Sequence, residues 1–302
     1  MQMAERKFIS FHDQIARNKR NSYLLFIFIF FVFIALGWVI AKIYDPGLTF
    51  IILIFSIIFS LAYTWFTYEN SAQIVLRSVN AYPAEGEKFR HLRNMVEGLA
   101  LASGLPMPKV YVMPSKEINA FATGKDPKHS VVCITEGALE NLSDSELEGV
   151  LGHEMTHIAN YDIRFVTLVS VMVGIVAIAS ELFLRSMFYN RERKGGRSTV
   201  YLVILGIILA IIAPIIVKLV QFAISRKREY AADAGAVQLT RNPKGLINAL
   251  KKIDLFYSQY RKTIANQAVA PMFLADPIGR RIINLFNTHP PIEERIKILE
   301  SM

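Results

Sequence analysis

Four stretches of this chain are long and apolar enough to restrict what it can fold into: Ser22 to Tyr44, Leu48 to Phe66, Val166 to Phe188 and Thr199 to Ile224. At about 1.5 Å per helical residue, about 20 residues cross the ~30 Å hydrocarbon layer of a bilayer. In that layer a lipid-exposed chain satisfies its own backbone N–H and C=O groups only as a helix or a closed barrel. Asp45-Pro46-Gly47 alone separates the first two runs, which therefore read as a helical hairpin. Arg6, Lys7, Arg17, Lys19 and Arg20 precede it, and this excess of Lys and Arg places the N-terminal arm in the cytoplasm. A cleaved signal peptide does not fit, because a second full-length apolar run follows at once.

The expected organisation is a basic arm with a transmembrane hairpin over 1–68, a polar segment over 69–165, a second hydrophobic hairpin over 166–224 and a polar segment over 225–302. If the second hairpin crosses, its loop with Arg191, Arg193, Lys194 and Arg197 lies outside, against the positive-inside tendency. Its first run also carries Glu181 and Arg185, an i,i+4 pair able to neutralise itself on one face. A tilted or shallow hairpin is the alternative to four spans, and either geometry leaves both polar segments on one side. The net charge of +9 fits membrane flanks facing anionic headgroups. No basic and aromatic stripe or nucleic-acid motif accompanies it, so no nucleic-acid partner is expected. Cys133 is the only cysteine, which excludes an intramolecular disulfide.

Within the first polar segment, Pro83 to Ser103 reads as a helix with Phe89, Leu92, Val96, Leu99 and Ala100 on one face, stopped at Gly104-Leu105-Pro106. Val110 to Met113, Ile118 to Thr123 and Ser130 to Thr135 read as strands of a small antiparallel sheet. Ser143-Asp144-Ser145-Glu146 has capping-box spacing and opens a helix running through His157. The fold class is therefore α+β: a mainly helical integral membrane protein with four hydrophobic helices and a small sheet.

That last helix carries GHEMTHIANYD from Gly152 to Asp162. Residues i and i+4 share a helix face, so His153 and His157 can present two imidazoles to one point, as zinc requires. Glu154 stands beside the first, where a carboxylate can take a proton from a metal-activated water. The plain alternative is a helix with two solvated or core histidines. A catalytic zinc needs a third protein ligand, and Ser225 to Ala234, SRKREYAADA, offers Glu229 and Asp233 at i,i+4. Glu229 would be the ligand, with Asp233 accepting the spare N–H of a ligating imidazole, His153 first. Ala231, Ala232, Ala234 and Ala236 would let this helix approach the first closely. Read alone, the segment is also an ordinary alanine-rich helix with a charged face.

HEMTHIANYD, SRKREYAADAGA, INAFATG (Ile118 to Gly124) and THPPIEERI (Thr288 to Ile296), in this order and spacing, resemble the HtpX-like membrane zinc metallopeptidases, and through them the soluble part of the type I CAAX prenyl proteases. The resemblance covers nearly the whole chain. It implies a gluzincin-type metalloprotease domain whose halves are 69–165 and 225–302, one Zn2+ held by His153, His157 and Glu229, Glu154 as general base and acid, and Asp233 as partner of a ligating histidine. Asn119 and His289 match positions near the substrate that steady the peptide or its developing oxyanion; a strand-end residue and a packing residue are the plain alternatives.

The expected activity is zinc-dependent endopeptidase cleavage at the cytoplasmic face of the bacterial inner membrane. An extended substrate would pair with the strand Asn119, Ala120, Phe121, Ala122, where main-chain bonds make little demand on sequence. The resemblance implies unfolded or misfolded membrane proteins as substrates, in protein quality control and stress, with the lipid bilayer as the other partner. A scaffold with a structural zinc has no need of Glu154. A transporter would carry ionisable residues inside several runs, where Glu181 and Arg185 are the main interior pair.

Overall fold

A computed structural model of the chain describes residues 11–44, 49–169, 226–259 and 290–302. Helices α1 (Phe11–Tyr44) and α2 (Thr49–Ser78) pack along each other. Among the described residues, α2 is long and apolar enough to cross a bilayer, and it presents Phe50, Phe55, Ile58 and Trp65 outward. Of the four expected hydrophobic helices, the third is described only as far as Val169, and the rest of it, the whole fourth run and the turn at 45–48 lie outside the described residues.

The sheet has four strands in the order β1 (Tyr82–Pro83), β2 (Lys109–Met113), β4 (Ser130–Thr135), β3 (Ala120–Gly124). It is mixed, which corrects the antiparallel expectation: β2 and β4 run parallel, with Val112 opposite Ile134, while β3 pairs antiparallel with β4. The reason is a crossover. The chain leaves β2, forms β3 at the sheet's far edge, turns at residues 125–129 and inserts β4 between them. Pro83 also corrects the helix expected from that residue. Tyr82 and Pro83 pair with Val112 and Tyr111 on an edge, where proline's missing N–H is tolerated. After a 3-10 turn at Glu87–Phe89, α3 spans Arg90–Ser103 and ends at left-handed Gly104, φ 67. The expected apolar face of Phe89, Leu92, Val96, Leu99 and Ala100 is buried in the main core.

After the short α4 (Glu136–Asn141), α5 (Asp144–Ala159) begins with the expected capping box. The Ser143 N–H donates to Glu146 Oε2 at 2.7 Å, and Lys252 Nζ donates to the same oxygen at 2.7 Å. Burial by itself would raise the Glu146 carboxyl, but the Lys252 and Ser143 hydrogen bonds outweigh it and hold it below 4.5. A lowered carboxylate stabilises the fold above its unfolded value and loses that contribution as pH falls through the folded one. Glu146→Gln keeps the cap but loses the charge pairing, so it is expected to cost about 1 kcal/mol at pH 7. Thermal unfolding in detergent should show parent and variant converging as pH drops below 4.5.

Helix α5 is the hub, packed by α3, β3, β4, and two later helices, α6 (Arg226–Thr240) and α7 (Pro243–Gln259). The last described helix is α8 (Ile292–Glu300). Close approach to α5 depends on glycine at Gly149, Gly235 and Gly245. A Cβ on Gly149 would lie 2.6 Å from the Leu246 backbone nitrogen of α7, and one on Gly235 of α6 would lie 2.4 Å from Thr156 Cγ2 of α5. Ala232 and Ala236 are buried as expected of the alanine-rich helix. Gly235, which the alanine pattern did not single out, sets the tightest α6 contact among the described glycines.

Candidate metal centre

One turn of α5 sets His153 and His157 with their Nε2 atoms 3.1 Å apart. From α6, Glu229 brings Oε2 to 3.8 Å from His153 Nε2 and Oε1 to 3.6 Å from His157 Nε2. Ligand atoms of the three residues lie within 4.8 Å of one another, which makes them a group able to hold a metal ion. The other nitrogen of each ring is taken: His153 Nδ1 is 2.9 Å from Asp233 Oδ1, and His157 Nδ1 is 3.0 Å from Asp162 Oδ2. A neutral imidazole that donates through Nδ1 carries its lone pair on Nε2. With both rings neutral, two lone pairs and a carboxylate converge on one point, an arrangement that a cation satisfies. Tetrahedral zinc with bonds of about 2.0–2.1 Å places two nitrogen donors about 3.3 Å apart, so the donor set fits zinc.

Sequence reasoning placed Asp233 beside a ligating histidine but gave no role to its counter-ion. Arg295 of α8, 1% exposed, grips Asp233 with two bonds: Nε to Oδ2 at 2.9 Å and NH2 to Oδ1 at 2.6 Å. Its NH1 also stands 4.0 Å from Glu229 Oε2. Asp162, the last residue of the HEMTHIANYD motif, is the corresponding carboxylate for His157. Beyond α5 the chain turns at Tyr161, a non-glycine residue at φ 59 directly before Asp162. A bulky side chain in the left-handed region costs of order 1–3 kcal/mol and persists where its surroundings hold it.

The electrostatics divide the two histidines in the metal-free chain. Burial lowers His153 to about 4 despite Asp233, so at neutral pH its contact with Asp233 is a hydrogen bond from a neutral ring. Burial also disfavours charge on His157, but the Asp162 hydrogen bond and the Glu229 carboxylate outweigh it and raise this histidine to about 9. Burial would raise Asp233 too, yet Arg295 and His153 hold it down at about 2. Burial lifts Glu154 to about 7, Glu229 adding to the rise.

A ligating histidine must be neutral, so a metal has to displace the His157 proton. Zinc affinity should therefore rise by about tenfold per pH unit from about pH 7 and level off near pH 9, measured by competition with a chelator of known pH behaviour. Stability of the metal-free chain runs the other way. The raised His157 contributes fully below its unfolded value of 6.5 and loses that contribution as pH rises through about 9.

Glu154 is 2% exposed, and the backbone N–H of Ala122 on β3 donates to its carboxylate. β3 is the edge strand of the sheet. In an antiparallel ladder, alternate residues turn their N–H and C=O outward, here Ala120, Ala122 and Gly124. Each of these N–H groups has an internal acceptor: Asn119 Oδ1 for Ala120, Glu154 for Ala122 and Thr167 Oγ1 for Gly124. Asn119 is 1% exposed, and its Nδ2 donates to Tyr257 Oη at 2.9 Å. Ala120, Phe121 and Ala122 are buried with it. His289 lies outside the described residues.

Residues 87–302 match the model of peptidase family M48. Over 292 residues the chain is 45% identical to a "Protease HtpX homolog" of Caldanaerobacter subterraneus subsp. tengcongensis, covering 95% of this chain and 96% of the relative. It is 37% identical over 302 residues to a protein of the same description from Lactobacillus helveticus, covering 96% and 99%. A crystal structure of S. mikatae Ste24p aligns with 96% of this chain and 67% of its own at a TM-score of 0.49 and 19% identity.

Proposed function

The chain belongs to peptidase family M48, with HtpX proteases as full-length relatives, and on that premise we propose a membrane-held zinc endopeptidase that cleaves misfolded or damaged membrane proteins. The proposed location is the bacterial inner membrane, which the chain crosses several times, with the catalytic site facing the cytoplasm. The family makes it a metallopeptidase. The observation that carries the finer reading is the convergence of His153, His157 and Glu229 with Glu154 alongside.

Zinc at this site would act as a Lewis acid toward the scissile carbonyl and make an attacking water acidic. The chain's own residues do the rest. Glu154, next to His153 on α5 and held by the Ala122 N–H, is placed to take the water's proton and pass it to the leaving amine. The Ala122 N–H holds that carboxylate against β3, so a peptide laid along the edge would bring its carbonyl beside the base. The outward N–H groups of β3 already have internal acceptors, so such a peptide would pair through the strand's outward carbonyls, main-chain contacts without strong sequence preference that suit substrates recognised by being unfolded. Asp233 fixes the tautomer of His153. Asn119, by exchanging its Tyr257 bond for a substrate carbonyl, and His289 are proposed to steady the peptide or its oxyanion.

Detergent-solubilised protein incubated with an unfolded polypeptide tests the reading. Internal cleavage should stop on chelation and return with zinc. Cleavage that survives complete metal removal would sink it.

A further inference from the structure

Three polar contacts beside the metal centre end on one side chain that belongs to neither ligand helix. Asn18 lies on α1, in the basic arm just before the first apolar run, and is 4% exposed. Its Nδ2 donates to the Asn160 carbonyl at 3.0 Å and to Asp162 Oδ1 at 2.7 Å, while its Oδ1 accepts from Arg228 NH1 at 3.2 Å. A carbonyl and a carboxylate on one side and a guanidinium on the other fix the orientation of the amide.

Each partner adjoins a ligand. Asp162 holds His157 Nδ1 with its second oxygen. Arg228 directly precedes Glu229, and Asn160 caps the C-terminal end of α5. The neighbouring Lys19 Nζ stands 4.3 Å over the ring of Tyr161, the left-handed residue between Asn160 and Asp162. The α1 arm therefore braces the turn that precedes Asp162.

We propose that Asn18 is a positioning residue for the metal centre. By holding Asp162 Oδ1, it keeps the other carboxylate oxygen on His157, and its bonds to Arg228 and the Asn160 carbonyl orient the amide for that one contact. Without it, Asp162 Oδ1 is left with Arg228 Nε at 3.6 Å, and the carboxylate can turn toward that guanidinium and away from the imidazole. Metal retention then depends on the docking of the first apolar helix. The inference rests on the zinc reading above and adds to it that the N-terminal hairpin forms part of the centre as well as anchoring it.

The test uses the full chain in detergent, loaded with zinc, and reads zinc release to a chelator. Loss of a carboxylate partner to a metal-bound histidine costs about 10–100-fold in affinity. Asn18→Ala, acting through that partner, is expected to speed release by about 10-fold. Asn18→Asp, which sets a second carboxylate against Asp162, should speed it further. Exposed Arg20→Ala should leave it unchanged. In an Asp162→Ala background, Asn18→Ala should add less than about twofold, since both changes act on one contact. The absorption spectrum of the cobalt-loaded protein should shift with Asn18→Ala as His157 reorients. If Asn18→Ala fails to fold, Asn18→Gln provides the same readout with the amide displaced by one methylene. Parental release from a folded Asn18 variant, or effects that multiply with Asp162→Ala, would overturn the role of Asn18 alone. A parent that holds no zinc would overturn both this role and the function proposed above.

Discussion

Glu154→Gln is expected to lower turnover of an unfolded polypeptide by about 10²–10⁴-fold, the usual contribution of a positioned acid–base group, while zinc content stays at the parental level. Glutamine matches glutamate in shape, and its side-chain oxygen can still accept the Ala122 N–H. What it cannot do is carry a proton from water to the leaving amine. Removing a carboxyl from a buried site also removes its desolvation cost, so the variant should melt no lower than the parent. Rate, metal content and melting temperature measured together separate loss of the base from loss of the site. Activity near the parental rate would refute the assignment.

Arg295→Met should do the opposite, damaging the fold and the metal site together. Asp233 and Arg295 are each 1% exposed, and the arginine holds the carboxylate with two short bonds. Removing one partner of a buried ion pair leaves an uncompensated charge and costs about 3–5 kcal/mol. Asp233 would rise from about 2 toward protonation. A protonated Asp233 is a poorer acceptor for His153 Nδ1, so zinc should be lost as well. Arg295→Lys keeps the charge without the planar two-pronged geometry and should recover only part of each loss. Thermal unfolding and metal analysis of the purified variants check both effects, and a methionine variant with parental melting and full zinc would contradict this account.

The parts of the centre governed by local spacing were legible in the sequence. The capping box fixes where α5 starts, i,i+4 spacing aligns the two histidines, and a second i,i+4 carboxylate pair marks α6. Strand direction was not legible, because the apolar patterns of β2, half-exposed at its start, and β4, buried throughout, record which faces are covered and say nothing of the neighbour's sense. Nor were the partners of the ligands, since they come from far along the chain: 62 residues separate Asp233 from Arg295, and 144 separate Asn18 from Asp162. Their signal was a polar residue on an otherwise inward-facing stripe. Arg295 falls at the i+3 position among Ile292, Ile296 and Leu299, and Asn18 shares a buried face with Ser22 and Leu25. A charge or amide in such a row implies a buried partner, although the row does not identify it.

The Arg295 clamp also bears on how the protein comes into being. Both histidines, Glu229 and Asp233 all precede Arg295 in the direction of translation, the last of them by 62 residues. At about 5–20 residues per second, the ribosome delivers the guanidinium about 3–12 s after the carboxylate it neutralises. Over that interval the nascent chain has every proposed zinc ligand in hand but lacks the ion pair that lets α6 bury its acidic face, so a hydrolytic site this near the ribosome is completed late, after most of the polypeptide has been made.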